Sequence, residues 1–212
     1  MLTNDVDLLV YEPGLFKAWW IAHQQRCRGG NGTLGGTTFT ASGMDFVAAG
    51  VQAGDVLYLT SIDGVIDGCY EIIERLSATQ LTISMVRGDV SEPPIAVGSG
   101  TDLAWRISTF LPQRAQGERL LSERLHLTPA AIETLSAESR RQFRTALITA
   151  SLVLIFEALI QQDDDDLFER KKNVYRQLLE SAICRLRLEL DTTGDGRPDA
   201  TFAGDNQPLK RR

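Results

Sequence analysis

Ala146-Leu147-Ile148-Thr149-Ala150-Ser151-Leu152-Val153-Leu154-Ile155-Phe156-Glu157-Ala158-Leu159-Ile160 is apolar on nearly every face of a helix. It therefore predicts a helix over residues 140–162 that is buried on all sides. The run is read as too short and too interrupted to span a bilayer, which takes about 20 apolar residues. Four aspartates follow, Asp163, Asp164, Asp165 and Asp166, and Asp166 stands three residues before Glu169, the spacing of an acidic N-cap. From there Leu167, Val174, Tyr175, Leu178, Ala182, Leu186 and Leu190 recur at helical spacing, with Arg170, Lys171, Lys172, Arg176 and Glu180 on the other side. This second helix is predicted to run about 24 residues, roughly 36 Å. A buried helix joined to an amphipathic one by a short acidic turn makes an antiparallel pair.

Upstream the period changes. Leu81, Ile83 and Met85 alternate with Thr82 and Ser84, and Leu103, Trp105 and Ile107 alternate with Ala104, Arg106 and Ser108. Strands are also predicted at 37–40, 56–62 and 69–76, the last two flanking Asp63-Gly64 and Asp67-Gly68 turn pairs. Four or five antiparallel strands in about 70 residues hide their edges best by curling into a small SH3-like or OB-like barrel. Burial of Leu57, Leu81, Ile83 and Trp105 contributes roughly 1.5–3 kcal/mol each. Residues 86–102, with Glu92-Pro93-Pro94, form a long loop expected to be ordered by contacts elsewhere.

The first 36 residues are read as an N-terminal helix and a glycine-rich loop. A helix is expected over 15–23, whose Trp19-Trp20 pair sends two rings to adjacent faces. Gly30, Gly32 and Gly35 match the GxGxxG spacing of dinucleotide sites. That chemistry needs a strand before the glycines and a helix after them, and here the expected order is helix then strand, so a flexible loop or extended arm is favoured. Gly36 also stands where a P-loop needs its lysine. Between barrel and hairpin, one helix is expected over 116–125 and another at Pro129, with Thr128 as N-cap.

After the hairpin, Asp191-Thr192-Thr193-Gly194-Asp195-Gly196-Arg197-Pro198-Asp199 nearly matches a calcium loop, but Phe202 occupies the twelfth position, where a bidentate Glu belongs. A polar turn that ends the long helix is the favoured reading. Residues 200–212 are apolar at Phe202 and Leu209 and basic at Lys210, Arg211 and Arg212, too few to fold alone and thus a candidate arm for a partner.

Composition narrows the function classes. Across 212 residues, 22 basic and 28 acidic side chains give a net charge of -6, against tight wrapping of nucleic acid. Cys27, Cys69 and Cys184 are widely spaced and suggest neither a disulfide framework nor a metal site. The start lacks the basic and apolar pattern of a signal peptide, which favours the cytoplasm. No acid–base pair, activated nucleophile or metal triad stands at readable spacing, so no cofactor is expected, and a small nucleotide- or calcium-dependent enzyme is the disfavoured class.

The order of the pieces resembles head-to-tail adaptor proteins of tailed bacteriophages. Over residues 109–205 these are Thr109-Phe110-Leu111-Pro112-Gln113 before a helix, the helix ending Leu154-Ile155-Phe156, the acidic break, the Lys172-x-Val174-Tyr175 helix running into Leu186-x-Leu188-x-Leu190-Asp191, and the Asp-rich tail. The resemblance implies a virion protein of the neck, assembled in the host cytoplasm. It would form a ring, commonly of twelve, between the portal protein and the tail or stopper protein, and line the channel for double-stranded DNA without sequence-specific binding or any membrane. Phe202, Leu209, Lys210, Arg211 and Arg212 would form the arm that grips portal or neighbour. Asp163–Asp166, if they face the lumen, would keep phosphate from sticking. A stopper or tail-completion protein is the related alternative.

The expected architecture is α+β: residues 1–36 as N-terminal helix and loop, 37–108 as the barrel, 109–191 as a C-terminal α-helical bundle, and 192–212 as turn and extended arm.

Overall fold

A computed structural model describes residues 2–19, 21–160, 167–190, 200–203 and 207–211. The chain is α+β and divides into two compact units, residues 4–110 and residues 1–3 with 111–212.

The first unit is a closed antiparallel barrel of six strands, β1 (Gln25–Gly36), β2 (Thr38–Ala41), β3 (Val56–Thr60), β4 (Asp67–Arg75), β5 (Gln80–Ser84) and β6 (Gly98–Ser108). Around the barrel they run β1-β2-β5-β4-β3-β6, and β6 pairs back onto β1. Closure leaves no strand edge to template aggregation. Inside, Phe39 and Phe46 each set an edge against Trp105 at 5.7 Å, within a core that includes Leu57, Leu59, Leu81, Ile83 and Ile107.

The glycine-rich segment expected as a flexible loop is β1, the longest strand of the barrel. Its glycines are clearances. A Cβ on Gly29 would lie 2.8 Å from Nε1 of Trp105, and one on Gly32 would lie 2.6 Å from the Phe39 ring. Register shifts between Gly29 and Gly32 and between Gly32 and Leu34 bend the strand around those rings.

Before the barrel, α1 (Asp5–Tyr11) is closed by a reciprocal capping box between Asn4 and Asp7. The helix expected over 15–23 stops early: α2 spans Leu15–Ala18, and a single 3-10 turn follows at Ala22–Gln24. Phe16 meets Phe110 edge-on at 5.1 Å, and Phe110 N–H donates to the buried Asp5 at 3.2 Å, so both ends of this unit are tied together. The long loop before β6 is organised by Arg87, which donates to Glu71 at 2.5 Å and to the carbonyls of Val90 and Glu92.

The second unit holds α3 (Leu111–Arg124), α4 (Pro129–Glu133), α5 (Ala137–Leu159) and α6 (Leu167–Arg185), then three short strands, β7 (Arg187–Leu190), β8 (Ala200–Ala203) and β9 (Gln207–Arg211). Thr128 caps α4 through the Ala131 N–H, with Pro129 at its first position. α5 is buried from Ala146 to Val153 on every face. By length and composition it could cross a membrane, contrary to the reading of a run too short to span, yet 61% of its apolar window is buried inside the protein. Phe156 at the end of α5 stacks on Phe168 at the start of α6, and Gln142 near the start of α5 accepts from Arg187 N–H just past α6. The two helices are therefore antiparallel.

Two expectations fail at the C-terminal end. The second helix ends at Arg185, not near residue 190. Leu186, Leu188 and Leu190 are buried while Arg187 and Glu189 are exposed, a period of two that makes β7. This strand lies along the start of α5, where Glu189 N–H donates to Ser139 Oγ at 2.8 Å and Ser136 N–H donates to the Glu189 carbonyl at 3.2 Å. The segment expected as an extended arm pairs with it as the antiparallel sheet β7-β8-β9.

Candidate functional site

The surface of α6 is broader in apolar character than its contact with α5 requires. Toward α5 it presents Tyr175, whose ring stacks on Phe156 at 5.6 Å and 13°, and Ile183. Lys171 Nζ lies 5.3 Å from the same Phe156 ring. Leu167, Val174 and Leu178 form a second stripe along one side of that buried face, yet are 45%, 55% and 47% exposed. Such exposure of one Leu is ordinary, but three in register on a helix make a continuous strip. The charges alternate by side. Arg170, Lys171 and Arg185 flank the strip, whereas Glu169 and Glu180 fall on the opposite side by helical spacing. There Glu180 accepts two hydrogen bonds from Arg124 of α3, at 2.8 and 2.6 Å. The bonds to Arg124 hold the Glu180 carboxyl below its usual range.

On α3 a groove of about 720 Å³ opens against α4. Its α3 wall is Ala115, Glu118, Arg119, Ser122 and Glu123, so it carries both signs of charge, and its floor includes Pro129 and Ile132. Ser122 Oγ donates back to the Glu118 carbonyl, so it presents little polarity to the groove. Glu118 Oε2 is buried without a hydrogen-bond partner among the described residues. His126 ends the helix at φ 53°, the left-handed turn that sends the chain into α4.

The barrel carries two exposed features. Arg28, Arg106 and Tyr58 stand side by side across β1, β6 and β3, with the Arg106 guanidinium 5.1 Å from the Tyr58 ring centre. Arg106 also donates to the Phe16 and Lys17 carbonyls. Below them Asp67 accepts from Lys17 at 2.5 Å and from the Tyr58 hydroxyl at 2.9 Å, and these bonds lower its pKa. The turn between β3 and β4 holds Ile62 and Val65 in solvent, 98% and 82% exposed. The turn itself is fixed: Asp63 accepts from Ser61 Oγ and Val65 N–H, and Ser61 Oγ accepts from Ile66 N–H.

Several expected site residues are placed by this geometry and others are not. Asp163–Asp166, the calcium-like stretch 191–199 and Arg212 lie outside the described residues. Phe202 is in β8, and Leu209, Lys210 and Arg211 are in β9. Gly30, Gly32 and Gly35 lie within β1, which turns into β2 at Gly36, so no helix N-terminus faces them. Among the described residues no group of three or more His, Cys, Asp or Glu side chains could hold a metal ion. Leu167, Val174 and Leu178 are legible in the sequence at spacings of seven and four, but their exposure is not, and the groove on α3 has no sequence signal. Comparison with protein-family models, curated proteins and solved structures finds no match to this chain.

Proposed function

We propose that the chain is a structural, ring-forming subunit of a bacteriophage neck that joins the portal to the tail and lines the path of the DNA. The observation that carries this reading is the hairpin of α5 and α6: one helix consumed as core, the other offering Leu167, Val174 and Leu178 to something outside the unit. A subunit that repeats around a channel needs a rigid stave and an outward apolar surface, and the hairpin supplies both. The order of pieces that resembles phage adaptors supports the same role. In this role the net charge of -6 disfavours adhesion of passing phosphate, and Asp163–Asp166 between the two helices are the residues to place in the lumen. The segment with Phe202, Leu209, Lys210, Arg211 and Arg212 is the surface assigned to portal or neighbour. The barrel, taken as an SH3-like or OB-like module, elaborates this plan.

Mixing the purified protein with isolated portal rings and imaging the mixture by electron microscopy tests the reading. Rings docked coaxially on portals are expected. A protein that neither oligomerises nor decorates portals at any ratio sinks it.

A second reading, a stopper or tail-completion protein whose barrel makes the main contact, draws on the rigidly held Ile62 and Val65. Replacing both by Ser separates the two: an adaptor keeps portal docking, and a stopper loses its attachment.

A further inference from the structure

We propose that the groove on the outer face of the barrel between Arg28, Arg106 and Tyr58 binds the phosphate group of a small phosphate monoester. The inference goes beyond the neck reading and does not rest on it.

The two arginines are direct cross-strand partners, Arg28 on β1 and Arg106 on β6, and Tyr58 of β3 is next in the row. Side chains so opposed leave the sheet about 4.5–5.5 Å apart at Cβ, where like charges destabilise the pairing. An anion between the two guanidiniums turns that repulsion into attraction. Burial, and to a lesser extent the charge of Arg28, already lower the Arg106 pKa. Arg106 is the fixed cation: it donates to the Phe16 and Lys17 carbonyls at 2.8 and 3.1 Å and lies 5.1 Å from the Tyr58 ring centre, so much of the cost of ordering it is met before a ligand arrives. Arg28 is exposed and makes no hydrogen bond or ion pair with any described residue.

The groove between them holds about 460 Å³. Among its described lining residues none is a carboxylate, and the nearby Asp67 is engaged by Lys17 and by the Tyr58 hydroxyl. Thr60 adds a hydroxyl, and Trp105 keeps a buried indole N–H that no described residue accepts. Charge and shape select the ligand. Two guanidiniums balance a dianion, whereas a carboxylate offsets one of them, and guanidinium forks match the oxygens of phosphate. The volume leaves room beside Ala104 and Tyr58 for the group that carries the phosphate.

Calorimetric titration of the full chain in low-salt buffer with phenyl phosphate, inorganic phosphate and acetate tests the site. Phenyl phosphate is expected to bind most tightly and acetate at least tenfold more weakly than either phosphate. Equal affinity for the two phosphates would assign the site to the free ion, and a gain with the ester assigns it to a phosphate monoester. Arg28→Ala is expected to weaken phosphate at least tenfold, and Arg28→Lys, which keeps the charge and loses the fork, to fall between. Because Arg28 bonds to no described residue, its loss leaves the fold intact. Arg106→Gln tests the second cation, and a thermal unfolding scan shows whether it also loosens the segment whose carbonyls Arg106 holds. Arg141→Ala, an exposed cation of the second unit, is expected to bind as wild type does. No binding of either phosphate, acetate bound as tightly as phosphate, undiminished binding by Arg28→Ala, or an equal loss with Arg141→Ala overturns the proposal.

Discussion

Gly32 and Gly29 carry the aromatic core of the barrel on bare backbone. A methyl group at 32 would meet the Phe39 ring at 2.6 Å, so Gly32→Ala is expected to destabilise the barrel by about 1–3 kcal/mol in urea unfolding, the usual cost of overpacking. Gly30→Ala meets nothing within 4 Å and serves as the neutral control. The thiols report burial independently. Desolvation pushes Cys27 up to about 12 and Cys69 up to about 11, while Cys184 is exposed. A thiol reagent at pH 8 is therefore expected to label Cys184 promptly in the native protein, the half-buried Cys69 slowly, and the buried Cys27 only on unfolding. Asp67 supplies an acid-sensitive contact. Its hydrogen bonds to Lys17 and Tyr58 depress its folded pKa, so its contribution to stability is complete above the ordinary carboxylate value and vanishes as pH falls through the depressed one. Asp67→Asn should flatten that acid limb in a series of denaturation curves.

The join between α5 and α6 depends on Phe156, which is fully buried and stacks on both Phe168 and Tyr175. Phe156→Ala is expected to cost about 3–5 kcal/mol, and pairing it with Tyr175→Ala to cost less than the sum of the two, read by thermal or urea unfolding. The same helices show what the sequence disclosed. The period of 3.6 and the Thr128-Pro129 signal located α4 and the hairpin, and alternation located five strands of the barrel, because those patterns follow from which face meets the core. β1 escaped because glycine reads as a turn, and only the three-dimensional position of Trp105 and Phe39 reveals it as clearance. β7 escaped because Leu186 and Leu190 fit the helical spacing of the preceding residues as well as a strand of period two; the alternate burial of Leu188 decides between them. The α6 strip is indistinguishable in sequence from the rest of one apolar face, since a sequence does not say how much of a face the neighbouring helix covers.

Across the whole molecule, the division at residue 110 separates two units with their own cores. Residues 4–110 contain every strand of the barrel together with the Asp5, Gly54 and Phe110 contacts that tie its ends, Asp5 N–H donating to the Gly54 carbonyl at 3.1 Å. Expressed alone, this segment is expected to unfold in one cooperative transition with a β-rich circular dichroism spectrum, and a chain lacking it to keep a helical one. The proposed ring would then be a property of the second unit, with the barrel as a separable module.

Helix α5 also sets an order of events during synthesis. Its membrane-like stretch leaves the ribosome before α6 exists, with α3 the one long helix of its unit already made to shelter it. Until residue 185 has emerged, that stretch lacks the cover that α6 gives it in the folded unit, where Tyr175 stacks on Phe156. Completion of the hairpin is what withdraws that stretch from its surroundings.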